Sequence, residues 1–289
     1  MAVPSKKSQG KLSVEALLER GLAHHRTGDV DAAERFYGQA LRRAPLNATA
    51  WYLRSVIAMG AKDYNRAAEL LEHAVKNAPG NGKFLCNLGE AYRRSGRLDE
   101  ALAVLRRATT AEPELAVAHY NLGLVERDRK RYEAAIASFE RVVSLDPSLH
   151  GLGLALVAAW SGAGRDDLAI ASYERLRGVL RDEASLRIAV ANIYVENGLL
   201  DVANEHFARA LELAPESADV HASCAVALAD GGEIERAADH YRRALELNPG
   251  DRAAHGNMLF LQLFHPAFDG PTLRAEAEEF ARRHVADVP

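Results

Sequence analysis

Two cysteines, Cys86 and Cys224, are too few for a disulfide-held scaffold in a chain of 289 residues. Charge of one sign is also lacking. The 36 Lys and Arg stand against 40 Asp and Glu, a formal net charge of −4, so nothing draws the whole chain to nucleic acid or to an anionic membrane. No long apolar run is present. The longest, Gly151 to Trp160, is half of the ~20 residues that a membrane span needs. The opening stretch Met1 to Lys11 has no apolar core and does not read as a secretory signal. A cytoplasmic protein is the expectation. Aromatics are scarce at 7%, whereas alanine is abundant, which points to close helix packing and away from a β-sandwich.

Motifs that carry chemistry are lacking too. There is no HExxH, no CxxC and no phosphate-binding Walker loop, and Gly151-Leu152-Gly153 runs into Leu156 without completing a dinucleotide fingerprint. No G-x-S-x-G elbow occurs. His24-His25 is an adjacent pair that points two ways on a helix, and Asp166-Asp167 and Glu278-Glu279 read as solvated helix ends. No catalytic residue, no metal ligand and no cofactor is assigned, and the chain by itself is not expected to be an enzyme.

What is present is a period. Pro45, Pro79, Pro113 and Pro147 are each 34 residues apart, and Pro215 and Pro249 resume the series after a gap at Arg181. With each proline at position 32, units start at Val14, Ala48, Gly82, Ala116, His150, Ala184 and Ala218. Position 20 is then alanine in all seven: Ala33, Ala67, Ala101, Ala135, Ala169, Ala203 and Ala237. Position 24 is large in each (Tyr37, Leu71, Leu105, Phe139, Tyr173, Phe207, Tyr241), and Leu88-Gly89 and Leu122-Gly123 fill positions 7 and 8. Gly28, Gly96, Gly164, Gly198 and Gly232 fall at position 15, with Lys62 and Lys130 in their place in units 2 and 4. Each unit therefore reads as helix, turn, helix, turn. The glycine stops the first helix, and the proline ends or resets the second.

These residues resemble the tetratricopeptide repeat family over 14–251. The resemblance implies an all-α, right-handed superhelix, an α-solenoid of about seven helix-turn-helix repeats that stack into one core. It also implies a protein- or peptide-binding role. His119, His221 and His255 share position 4 and read as substitutes for the family's packing tryptophan, not as ligands converging on one ion. Cys86 and Cys224 read as packed thiols. Unit 5 departs most, with Gly153 at position 4, Trp160 at position 11 and no proline, so distorted packing is expected there.

Residues 1–13 are expected to be disordered. Residues 252–289 read as a helical cap, with one helix to Phe264 and a second beginning at an N-cap Thr272 after Asp269-Gly270-Pro271. Within it, Asn257-Met258-Leu259-Phe260, Leu263-Phe264-His265-Pro266, Leu273 and Phe280 resemble the segment that connects repeats to the catalytic domain in SPINDLY and O-GlcNAc-transferase-type enzymes. Ala277 and Phe280 depart from that pattern, where a histidine and a tryptophan are common.

Positions 2, 6, 9 and 13 of each first helix form a stripe that lines the concave groove in the family. It offers Lys83, Asn87, Glu90 and Arg94, then Val117, Asn121, Leu124 and Asp128, then Gly151, Ala155, Ala158 and Gly162. Ser185, Ala189, Asn192 and Glu196 follow, then Asp219, Ser223, Val226 and Asp230, and last Asn257 and Phe260. The asparagines could hold a peptide backbone through their donor and acceptor. Ala155 and Ala158 would leave an open apolar floor for a partner segment. The carboxylate clamp of chaperone-binding repeats fails here: Leu18, Leu22 and Leu53 stand where lysine and asparagine belong, and Asn87 stands where arginine does. The expected role is the acceptor-recognition arm of a bacterial protein O-glycosyltransferase, with flagellin as the acceptor. The alternative is a scaffold for a multiprotein assembly, and a homodimer through a convex face is a third arrangement.

Overall fold

The computed structural model describes residues 12–263 and 269–284, and all of their regular structure is helical. The expected disorder of the N-terminus and the residues Phe264, His265 and Pro266 lie outside the described residues, apart from Leu12 and Ser13. The chain divides into two compact units, with the division between Asp146 and Pro147.

The first unit holds eight helices in four antiparallel pairs: α1 (Val14–Arg26) with α2 (Val30–Arg43), α3 (Ala48–Gly60) with α4 (Tyr64–Asn77), α5 (Gly82–Arg94) with α6 (Leu98–Ala111), and α7 (Ala116–Asp128) with α8 (Tyr132–Leu145). The second holds α9 (Leu152–Gly162) and α10 (Asp166–Leu176), α11 (Ala184–Glu196) and α12 (Leu200–Leu213), α13 (Ala218–Asp230) and α14 (Ile234–Leu247), and α15 (Arg252–Leu263) and α16 (Gly270–His284). Helices packed pair upon pair make this an all-α solenoid architecture.

Capping explains the boundaries. Side chains of Ser13, Asn47 and Asn81 accept from the backbone N–H three residues on, at 3.1, 2.8 and 3.0 Å, and so satisfy donors that the first turn leaves open. Asp29 and Asp63 do the same for α2 and α4. Between the helices of each of the first seven pairs the chain turns through a positive φ: Gly28, Gly96, Gly164, Gly198 and Gly232, and also Lys62 at 58° and Lys130 at 59°. The position-20 alanines are all buried, at most 1% exposed, which is what lets the paired axes approach.

The fifth pair departs from the others as the sequence suggested, and the reason is visible. Its first helix begins at Leu152 instead of His150, because Gly151 takes a left-handed turn at φ 78°. A Cβ at Gly153 would lie 2.6 Å from Leu186 Cδ2, so the side chain of Leu186 in α11 fills the place of the missing position-4 residue. Where the proline is absent, Asp182 holds the chain instead, with Arg187 Nε at 2.7 Å and Arg209 Nε at 2.9 Å. Those bonds keep its carboxyl below the usual aspartate range, the Arg187 hydrogen bond most of all. At the cap, Asp269 and not Thr272 closes the helix: its Oδ1 accepts from Thr272 N at 2.9 Å, and α16 starts at Gly270. Helix α16 buries none of its residues. It meets α15 through Phe280 and His284, whose rings lie 5.1 and 5.2 Å from that of the buried His255.

Candidate functional site

Position 4 of the repeat is structural. Trp51 Nε1 donates to Pro45 O at 2.8 Å, His119 Nε2 to Pro113 O at 2.9 Å, and His221 Nε2 to Pro215 O at 3.0 Å. A carbonyl can only accept, so Nε2 of both histidines carries the proton. The histidines thus reproduce the tryptophan's N–H, tying each first helix to the proline of the preceding repeat. His255 differs: its Nδ1 meets His284 Nε2 at 3.1 Å. Cys86 and Cys224 are buried, and burial pushes both thiols up to about 12, so they stay protonated and inert. Among the described residues, no three His, Cys, Asp or Glu side chains converge to hold a metal ion.

In the first unit the stripe of positions 2, 6, 9 and 13 is largely committed to its own neighbours. Lys83 Nζ lies 5.0 Å over the Tyr52 ring. Asn87 donates one amide N–H to Lys83 O at 2.7 Å, and Asn121 directs one toward Cys86 O at 3.5 Å. Glu90 takes Arg93 Nε at 2.8 Å and Arg94 Nε at 3.2 Å. Arg93 also reaches Asp128 at 2.8 Å, linking α5 to α7. Burial works against the Arg93 charge, yet its bonds to Glu90 and Asp128 outweigh this and raise its pKa above the ordinary arginine value. Sequence reasoning passed over Arg93 because position 12 lies just off the stripe. Leu124 is half-buried.

In the second unit, Ala155 is 2% exposed and packs inside, while Ala158 is half-buried. Ala155 is therefore not available as part of an open floor. An opening lies instead farther along the same stripe. One pocket, of about 240 Å³, is lined by Asn192, Val195, Glu196, Ser223, Val226, Ala227 and Asp230. A second, of about 390 Å³, is lined by Val226, Ala229, Asp230, Ile234, Tyr241, Asn257, Phe260 and Leu261. They share Val226 and Asp230, so one groove runs across α11, α13 and α15, with α14 beneath. Val226 is 43% and Phe260 68% exposed. Asn257 hydrogen-bonds Tyr241, whose phenol burial pushes above its ordinary value. Glu196 and Asp230 form no ion pair among the described residues. Tyr241 and Leu261 were not singled out for the groove because positions 24 and 10 otherwise serve the core.

The architecture, helix pairs of 34 residues locked by a small residue at 20 and a large one at 24, defines a class of helical repeat proteins. The model of the tetratricopeptide repeat family matches residues 18–82, 86–150 and 188–252, more than half of the chain. This chain belongs to the tetratricopeptide repeat family. The match leaves out 151–187, where α9 and α10 lie. Among solved structures, a tetratricopeptide repeat protein from Parabacteroides merdae is similar at 20% identity and a TM-score of 0.68, over 86% of this chain and 98% of that one. PilF from Pseudomonas aeruginosa is similar at 22% identity and a TM-score of 0.58, over 70% of this chain and 92% of that one. A chain of the APC/C Cut9–Hcn1 hetero-tetramer is similar at 16% identity and a TM-score of 0.62, over 89% of this chain and 50% of that one. These likenesses bear on the fold alone. As a repeat protein of this family, the chain is a protein–protein interaction module. No described helix is long and apolar enough to cross a membrane.

Proposed function

We propose that the groove across α11, α13 and α15 is where the partner binds, and that it takes an amphipathic segment. The carrying observation is the pocket of about 390 Å³, walled by Ile234, Tyr241, Leu261 and Val226. It accommodates one large apolar side chain. Glu196 and Asp230, neither in an ion pair among the described residues, favour a lysine or arginine beside that anchor. Asn192, Ser223 and Asn257 supply polar contacts along the rim. Lys83, Asn87, Glu90, Arg94, Asn121, Leu124 and Asp128 are secondary in this reading, since most of their polar groups are already paired. A selection of random peptides on the folded chain tests it. Binders should carry an aromatic or aliphatic anchor next to a basic residue, and Val226→Arg should abolish their binding while the helical signal stays. Binders of any other composition, or binders indifferent to Val226→Arg, would reject it.

A finer reading keeps the groove and adds a purpose: the acceptor-recognition arm of a protein O-glycosyltransferase, with flagellin as acceptor. Its support is the residue pattern of α15 and α16, Asn257 to Phe260, Leu263, Leu273 and Phe280. Titration with flagellin beside an unrelated helical protein tests it. Saturable binding to flagellin alone supports the arm. Its absence leaves the scaffold for another assembly.

A further inference from the structure

The first unit carries an opening of its own, between α2 and α3. It is a trough of about 610 Å³. Gly38 contributes no side chain to it. Gly38 stands at position 25, where the other six repeats have Glu72, Arg106, Glu140, Glu174, Ala208 and Arg242. The nearest atom to a Cβ built there is Arg42 Nη1 at 3.8 Å, and Trp51, Leu41 and Pro45 supply the trough's apolar lining. The Trp51 N–H is spent on Pro45 O at 2.8 Å, so the indole offers the trough only apolar ring.

The trough is cationic. Arg35 and Arg42 line it on either side of Gly38, and neither has an ion-pair partner among the described residues. Arg54 also lines it, but is held by Glu34, with Nε 2.7 Å from Oε1, so that pair cancels. Two positive charges outside any ion pair remain, one on each side of Gly38. They are seven residues apart on one helix, or about 10 Å along its axis. A partner helix with acidic residues at i and i+7 spans the same distance and places the residue at i+3 or i+4 over Gly38.

We propose that this trough is a second docking site, for an acidic amphipathic helix of a partner protein. The partner's two carboxylates would pair with Arg35 and Arg42, and a leucine-sized side chain between them would fill the place left by Gly38. The pairing is bidentate in kind and salt-sensitive. The site involves neither the groove of the second unit nor the reading given for it.

The test uses the full chain and a fluorescent helical peptide with Glu at i and i+7 and Leu at i+4, followed by anisotropy. A second peptide has both glutamates replaced by lysine. Gly38→Glu fills the gap with the side chain that Glu72, Glu140 and Glu174 already place at this position, so the helix should tolerate it. Arg35→Gln with Arg42→Gln removes the charges and leaves the gap. The expected result is saturable binding of the acidic peptide, weakened tenfold or more by either variant and by added salt, and none of the lysine peptide. Circular dichroism confirms that the variants fold. No saturable binding to the wild-type chain up to about 1 mM overturns the proposal. So does equal binding by both peptides, or acidic-peptide binding that survives in both variants.

Discussion

Phe139 occupies the space that a side chain on Gly123 would need: a Cβ built on Gly123 would lie 2.4 Å from Phe139 Cε1. The relationship recurs between positions 8 and 24 of other repeats. A Cβ on Gly21 would lie 2.3 Å from Tyr37 Cε1, and one on Gly89 would lie 2.4 Å from Leu105 Cγ. Each large residue of a second helix seats on a bare stretch of the first.

Replacing Gly123 by alanine therefore sets two effects against each other. In an exposed helix the change would stabilise by about 1 kcal/mol. Here the methyl meets a fully buried ring, and overpacking costs about 1–3 kcal/mol. Net destabilisation is expected, read as a lower urea midpoint. The double variant Gly123→Ala with Phe139→Leu should recover part of the loss relative to the sum of the single changes. Additive losses would show that the two sites are independent.

Lys62 and Lys130 adopt the left-handed turn at φ 58° and 59° that glycine takes in five repeats. A residue with a Cβ pays about 1–2 kcal/mol for that conformation. Lys62→Gly and Lys130→Gly should each stabilise the first unit by up to about 1 kcal/mol, since glycine's greater unfolded entropy offsets part of the gain. Thermal melts would read this as a rise in Tm. A fall would mean that the lysine side chains contribute more than their turns cost.

The position-4 hydrogen bonds make a third test. Trp51→Phe and His119→Phe keep a ring and remove the donor that serves Pro45 O or Pro113 O. Each should cost about 1 kcal/mol, the net worth of one hydrogen bond. Nitrogen-15 spectra should show the proton of His119 and His221 on Nε2. An Nδ1–H tautomer at either would contradict the arrangement.

How much of this was legible beforehand follows from where the information resides. The period, the helix starts at Val14, Ala48, Gly82, Ala116, Ala184 and Ala218, and the turn at position 15 depend on local residue choice, and all were readable. The role of His119 and His221 was readable too, because position 4 repeats. The groove was readable only as a stripe. Whether a stripe residue faces solvent depends on its neighbours: Arg93 reaches across to Asp128, and Leu186 fills the space beside Gly153. Periodicity gives an address on a helix, whereas side-chain reach between helices decides which addresses stay open. The same holds for Gly38, whose significance appears only when the residues around its gap are known.

The last prediction concerns acid. His206, His240 and His255 all belong to the second unit, and burial moves each below its ordinary value of 6.5. The nearby charge of Arg187 adds to the effect at His206, and His221 adds to it at His240. The folded second unit thus prefers these rings neutral, and below pH 6.5 the unfolded chain binds more protons than the folded one. Stability is fully present above that value and declines as pH falls toward each folded pKa. Asp182 acts in a lower window: its depressed pKa contributes above its ordinary 3.8 and is lost only beneath it. Amide hydrogen exchange separates these. Protection in α12, α14 and α15 should weaken between pH 7 and 5, before the aspartate window opens. His206→Phe should flatten the response of α12, since a phenyl ring keeps the stacking on Tyr194, now 5.5 Å between centroids, and has no proton to take up. If α12 in that variant follows the wild-type pH profile, the sensitivity resides elsewhere and the burial of His206 is not its cause.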